Sequence, residues 1–264
     1  MDINGFVAAT HSNYPAARRD EAYTRSYRAI RLALGFLGIA LPFVLIIAEA
    51  SSLRGEVHVR GSLSAYYHTS MQDIFVGALW VIGFLLMTYM AGETKTPDFW
   101  VSLVAGVAVL GVVFFPTSRS GLQPGAPACE SNPIPPSCSL TEHSLGEHTT
   151  AVIHAVCAVV FILCLAVMSF LFALSRITRD GERTRAGSSQ KTARRRQAVF
   201  WTHGACGVAI LLAGGWAFLG RALHATIWEL TPLYVGEVVS VLAFGLSWLL
   251  AAVAIIPLRP EVDT

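Results

Sequence analysis

Residues 29–50 read AIRLALGFLGIALPFVLIIAEA, with Arg31 near the start and Glu49 near the end as the only charged residues. As an α-helix, twenty-two residues are about 33 Å long. The hydrocarbon core of a bilayer is about 30 Å thick. Pro42 would interrupt a soluble helix, but inside a membrane neighbouring helices can satisfy the backbone group it frees. The stretch therefore reads as a kinked transmembrane helix over about 30–50. Working outward, five further runs meet the same length and polarity test: 72–91, 98–116, 148–175, 199–220 and 232–257. Thr96-Pro97 and Thr231-Pro232 give two of them a hydroxyl cap followed by proline at the first helical position. The expected fold is all-α: a polytopic membrane protein, a single domain of six transmembrane helices spanning 1–264.

The composition agrees. Hydrophobic residues make up 54% of the 264 and charged residues 14%, and the mean hydropathy is +0.55. Such a chain is neither disordered nor a small disulfide scaffold. A net charge of +2 over this length leaves no basic footprint for nucleic acid.

Orientation follows from the basic residues, which collect on the cytoplasmic side. Placing both termini inside puts fifteen of the nineteen Lys and Arg there, among them Arg25, Arg28, Lys95 and the run Arg194-Arg195-Arg196. Only Arg54, Arg60, Arg119 and Arg221 fall outside. The segment 176–198 then reads as a basic cytoplasmic loop that sets topology and meets the inner leaflet. Residues 117–147 read as an extracytoplasmic loop, and within it CESNPIPPSC places Cys129 and Cys138 where an oxidising compartment would join them. Cys157, Cys164 and Cys206 fall within spans and read as small hydrophobes.

Ionisable side chains inside a membrane are costly and mark sites. On this topology most of them lie at one level, the outer end of the bundle: His68, Asp73, His154 and Glu237, with Glu49 closing the first span and Arg60 beside it. His143, Glu147, Thr150 and His154 share one face if the fourth helix starts early enough. Ser62–Asp73 packs two tyrosines, a histidine, several hydroxyls and a carboxylate into twelve residues. Plainer readings stand beside these. Ser70-x-x-Asp73 and Ser144-x-x-Glu147 have capping-box form, and Tyr66 and Tyr67 fit an interfacial aromatic belt. Glu49 reads as a helix-end residue and His203 as a partly hydrated residue of the inner end.

The run SLSAYYHTSMQDIFVG, residues 62–77, resembles a signature of bacterial six-helix integral membrane proteins of unassigned activity. It carries Ser-x-Ser-Ala-Tyr-Tyr-His-Thr and then Asp-x-Phe-Val-Gly. Phe115-Pro116-Thr117, the isolated His154 and EVVSVLAFGLSWL at 237–249 extend the match. The resemblance implies a multi-pass protein of the bacterial cytoplasmic membrane and brings no activity with it. A more distant resemblance is to the superfamily of alkaline ceramidases and progestin/adipoQ receptors. Those proteins place a serine four residues before a histidine, as Ser64 and His68 stand here, and hold zinc with three histidines. The present chain differs in having six expected spans, in the closeness of Asp73 to His68, and in having no HxxxH pair.

Three functional readings stay open. In the first the protein is a metal-dependent hydrolase of lipid amides or esters. His68, His154 and Asp73 would hold zinc, and Ser64, Tyr67, Asp73 and Glu237 would supply base and oxyanion chemistry. In the second the same cavity binds or transports an ion, a proton or a lipid. The third is an accessory subunit whose polar cluster is a structural network. Membrane lipids are the expected partners, with a homo-oligomer or a larger membrane complex as the setting.

Overall fold

The computed structural model describes residues 16–52, 59–91, 93–119, 125–135, 138–183, 190–223 and 230–253. The expected inner tail beyond 253, with Arg259, and the positions Arg54 and Arg185 lie outside these. The first helix, α1, spans Ala16–Ser52 and carries Pro42 within it. A short 3-10 turn, Ser64–His68, leads into α2, Gln72–Thr88. Then come α3, Pro97–Phe114, a single-turn α4, Leu140–Leu145, and α5, Glu147–Arg183. The last two are α6, Gln190–Ala222, and α7, Pro232–Val253.

Five helices, α1, α3, α5, α6 and α7, contain stretches long and apolar enough to cross a membrane, and α2 is a shorter apolar helix of 17 residues. Large apolar side chains point away from the protein along all of them. Phe43 is 53% exposed, Leu212 70% and Phe218 85%, a surface suited to lipid and costly in water. The chain is thus a multi-pass helical membrane protein.

The basic stretch expected as a loop is largely helical. The α5 backbone continues through Arg183 and α6 begins at Gln190. Both proline starts behave as their residue types dictate. The Thr96 hydroxyl accepts from Phe99 N, and the Thr231 hydroxyl accepts from Tyr234 N at 3.1 Å.

The six apolar helices close into a ring in which α1 packs on α7, α7 on α6, α6 on α5, α5 on α3, α3 on α2, and α2 on α1. Lipid gives helices no hydrophobic reason to associate, so close backbone approach must do that work. At the α1–α7 seam it is made by glycines. A Cβ on Gly245 would stand 2.7 Å from the Gly35 carbonyl oxygen, and one on Gly38 2.8 Å from the Phe244 ring. The end of the bundle where α1 finishes and α7 begins also carries the Cys129–Cys138 disulfide, and is called here the disulfide end.

Aromatic residues fill the opposite end. Trp248, fully buried, sits edge-on to Tyr89 at 4.9 Å and to Phe172 at 5.1 Å. Arg31 donates to the Tyr89 hydroxyl and to the Ala251 carbonyl, and its guanidinium lies 5.0 Å over the Phe172 ring. His203 is fully buried there, with its Nδ1 2.9 Å from the Ser247 hydroxyl. It is a packed core residue and not the hydrated one its sequence position implies.

Candidate functional site at the disulfide end

The 3-10 turn is fixed from below by α7. The Glu237 carboxylate accepts the Leu63 N–H at 2.5 Å and the Ser64 hydroxyl at 3.3 Å. A carboxylate in the second turn of an apolar helix is thereby satisfied by a backbone donor and a hydroxyl. The turn is tied further by Thr231, whose hydroxyl donates to the Gly61 carbonyl, and by Ser62, whose hydroxyl accepts Ala65 N at 3.0 Å. Glu49, at the end of α1, is buried and takes the Arg60 guanidinium on one oxygen, Oε1. It is the anchor of an ion pair and more than a helix end.

The histidines serve the same end of the molecule from the other side. His68 Nε2 lies 2.5 Å from the Thr117 carbonyl. A carbonyl only accepts, so that nitrogen carries the proton. The same Nε2 lies 3.8 Å from Glu142 Oε1. Glu142 is fully buried and closes a capping box with Ser139: its carboxylate accepts Ser139 N at 2.7 Å while the Ser139 hydroxyl accepts Glu142 N at 3.1 Å. His154, buried in α5, donates from Nδ1 to the Phe115 carbonyl at 2.8 Å. Glu147 accepts both the Arg119 N–H, at 2.8 Å, and its guanidinium, at 3.1 Å.

Several sequence expectations are corrected here. The polar face from His143 to His154 is not one helix, because Gly146 sits at φ +84 between α4 and α5, a region that L side chains rarely adopt. His143 instead meets the Cys129 carbonyl at 2.9 Å. The capping box is Ser139–Glu142; Ser144 donates to the Leu140 carbonyl, and α2 begins without a side-chain cap. Tyr66 is completely buried and does not belong to an aromatic belt. Burial pushes its hydroxyl up to about 12, and the hydroxyl of half-buried Tyr67 is also pushed up by burial. The disulfide forms as the loop composition implies, with Cα atoms 5.5 Å apart.

Two hollows adjoin this network. A chamber of about 60 Å³ lies inside the ring, lined by apolar side chains such as Leu41, Phe75 and Phe161, with Ser64 and Glu237 as its polar wall. A larger groove of about 460 Å³ opens beside the 3-10 turn. Tyr67, Gln72, Asp73, Ser139 and Thr141 form its polar side, and Trp80 and Phe114, in edge-on contact at 5.2 Å, form its apolar wall. Asp73 is exposed in the first turn of α2 and makes no hydrogen bond or ion pair among the described residues.

The six site residues expected from sequence therefore divide. Ser64 and Glu237 meet at the chamber. Tyr67 and Asp73 share the groove. His68 stands edge-on to Tyr67 at 5.2 Å and joins the groove's floor to Glu142. His154 is occupied with Phe115. Among the described residues no group of three His, Cys, Asp or Glu is gathered closely enough to hold a metal. His68, Asp73 and His154 are not brought together into such a group. Glu142 and Arg119 are the participants that the sequence reading missed. Ser139-x-x-Glu142 carried a legible capping signal; Arg119 carried none.

Comparisons with protein-family models, with curated proteins and with solved structures found no match.

Proposed function

We propose that this is a six-span protein of a bacterial cytoplasmic membrane, with both termini inside, that binds a membrane amphiphile with an amine-bearing head group in the groove beside the 3-10 turn. The observation that carries the reading is Asp73: an exposed carboxylate, without a partner among the described residues, on the polar side of a groove whose other wall is aromatic and reaches the exposed apolar surface at Phe114. An amine head would find the carboxylate and the hydroxyls of Tyr67, Ser139 and Thr141, and a chain would lie along Trp80 and Phe114. The 17 residues of α2 make about 26 Å of helix. That is close to a hydrocarbon core, and the fifteen-to-four distribution of Lys and Arg supports the orientation.

Several of the remaining polar side chains, among them His68, His154 and Glu237, are spent on main-chain groups, which supports a binding role over a catalytic one. The specific observation that favours a second reading, hydrolysis, is the Ser64–Glu237 contact at 3.3 Å on the wall of the apolar chamber.

The test is reconstitution into nanodiscs of mixed phosphatidylethanolamine and phosphatidylglycerol, followed by mass spectrometry of the lipid kept on detergent extraction. Enrichment of the amine lipid that falls about three-fold in Asp73→Asn supports the reading, since an exposed charge contributes on the order of 0.6 kcal/mol. Retention of both lipids in the input ratio would overturn it. Cleaved lipid in the extract, lost in Ser64→Ala, would place hydrolysis first.

A further inference from the structure

On the polar side of the groove two hydroxyls have their protons directed away from it. The Thr141 hydroxyl donates to the Phe114 carbonyl at 2.8 Å. Phe114 ends α3, where a carbonyl has no partner within its own helix, and a carbonyl only accepts. A hydroxyl has a single proton, so that of Thr141 is spent there. The Ser139 hydroxyl lies 3.0 Å from the Thr141 hydroxyl and is therefore the donor of that contact.

The other end of the chain of bonds fixes the same direction. Ser139 is the N-cap of α4, and its hydroxyl oxygen accepts the Glu142 N–H at 3.1 Å, while the Glu142 carboxylate accepts Ser139 N at 2.7 Å. The bonds thus run one way, from Glu142 N–H through Ser139 and Thr141 to Phe114. Towards a ligand, the Ser139 and Thr141 hydroxyls can offer lone pairs and no proton. They share the groove with Asp73, whose carboxylate also accepts. Tyr67 and Gln72, which complete the polar side, keep donors of their own.

Acceptors rank ligands by the N–H groups they bring. A primary ammonium carries three N–H donors beside its charge. A quaternary ammonium carries the same charge and no N–H. Asp73 attracts the two alike, so charge does not separate them; the hydroxyl oxygens do. Resting on the groove's role as an amphiphile site, we propose that Ser139 and Thr141 make it selective for the primary ammonium head group of phosphatidylethanolamine against the quaternary head group of phosphatidylcholine. Asp73 then sets affinity, and the Ser139–Thr141–Phe114 chain sets specificity.

The experiment uses the full-length protein in nanodiscs of equal phosphatidylethanolamine, phosphatidylcholine and phosphatidylglycerol, with mass spectrometry of the lipid kept on detergent extraction. The expected result is an enrichment of phosphatidylethanolamine over phosphatidylcholine of about five-fold, the effect of N–H bonds that only one head group can make. Thr141→Val keeps the shape of the side chain without its hydroxyl, and should bring the preference below about two-fold. Thr141→Ser restores the hydroxyl and should restore the preference. Equal enrichment of both lipids over phosphatidylglycerol would overturn the selectivity and leave the amphiphile site standing. Enrichment of neither would remove the site, and the selectivity with it. A preference that Thr141→Val leaves intact would mean that size excludes the choline head, and would overturn the role of the hydroxyl chain. Thr141→Ala serves in its place should Thr141→Val fail to fold.

Discussion

Glu237 on α7 accepts the backbone N–H of Leu63 at 2.5 Å, joining two residues 174 apart in the chain. The bond holds the start of the 3-10 turn on the bundle, and the carboxylate's other oxygen takes the Ser64 hydroxyl. A residue that keeps an acceptor at this place should preserve the turn. Glu237→Gln is expected to lose less than about 1 kcal/mol of stability, whereas Glu237→Leu strands a backbone donor and should lose about 2 kcal/mol. Thermal melts in detergent measure both. Equal losses would show that the hydrogen bond is not what fixes the turn.

The α1–α7 seam depends on the absence of side chains. A Cβ at Gly245 would lie 2.7 Å from the Gly35 carbonyl oxygen and 2.7 Å from the Ile39 side chain, and a backbone atom cannot swing aside. Gly245→Ala should therefore cost about 2 kcal/mol, as an overpacked contact does. Gly215 on α6 is the control, since a Cβ there meets nothing within 4 Å. Gly215→Ala should be neutral or gain up to about 1 kcal/mol from helix propensity. Melting temperatures that move together for the two variants would refute the seam.

Cys129–Cys138 closes a short loop whose position is also held by contacts at both sides. His143 meets the Cys129 carbonyl, and the Arg119 guanidinium donates to the Pro127 carbonyl at 3.1 Å. Removing the cross-link should cost about 2–3 kcal/mol by the loop-entropy argument. The loss should be local. Hydrogen exchange in Cys129→Ser/Cys138→Ser should accelerate in α4 and the start of α5, and stay unchanged around Trp248 at the opposite end. Acceleration at both ends would mean that the disulfide supports the whole bundle.

The five long apolar helices were legible because a bilayer dictates long apolar runs, and the proline starts because a hydroxyl cap and a missing N–H suit a helix N-terminus. The loop cysteines were legible for a chemical reason as well. What the polar residues do was not. His68 and His154 bind the carbonyls of Thr117 and Phe115, and a backbone acceptor leaves no mark in the residue alphabet. A single conformational event, the positive φ of Gly146, separates His143 from the helix that carries His154. Helical arithmetic across that glycine consequently joined residues that do not share a face. Asp73 and Ser64 line two different hollows, and the partner that satisfies Glu237 is a main-chain N–H.

Tyr66 offers a test that reads its burial directly. With no exposed surface, its phenolate would lose nearly all hydration, and its hydroxyl titrates near 12 instead of near 10. The sign follows from linkage: the folded value lies above the unfolded one, so the neutral phenol favours the folded state. That contribution is complete below pH 10 and fades as the pH rises from 10 towards 12. In an alkaline titration followed by tyrosinate absorbance, Tyr66→Phe should therefore leave the signal below about pH 11 unchanged and remove amplitude only above it. Loss of amplitude near pH 10 in the variant would mean that Tyr66 is hydrated, and that the turn above it does not close the site.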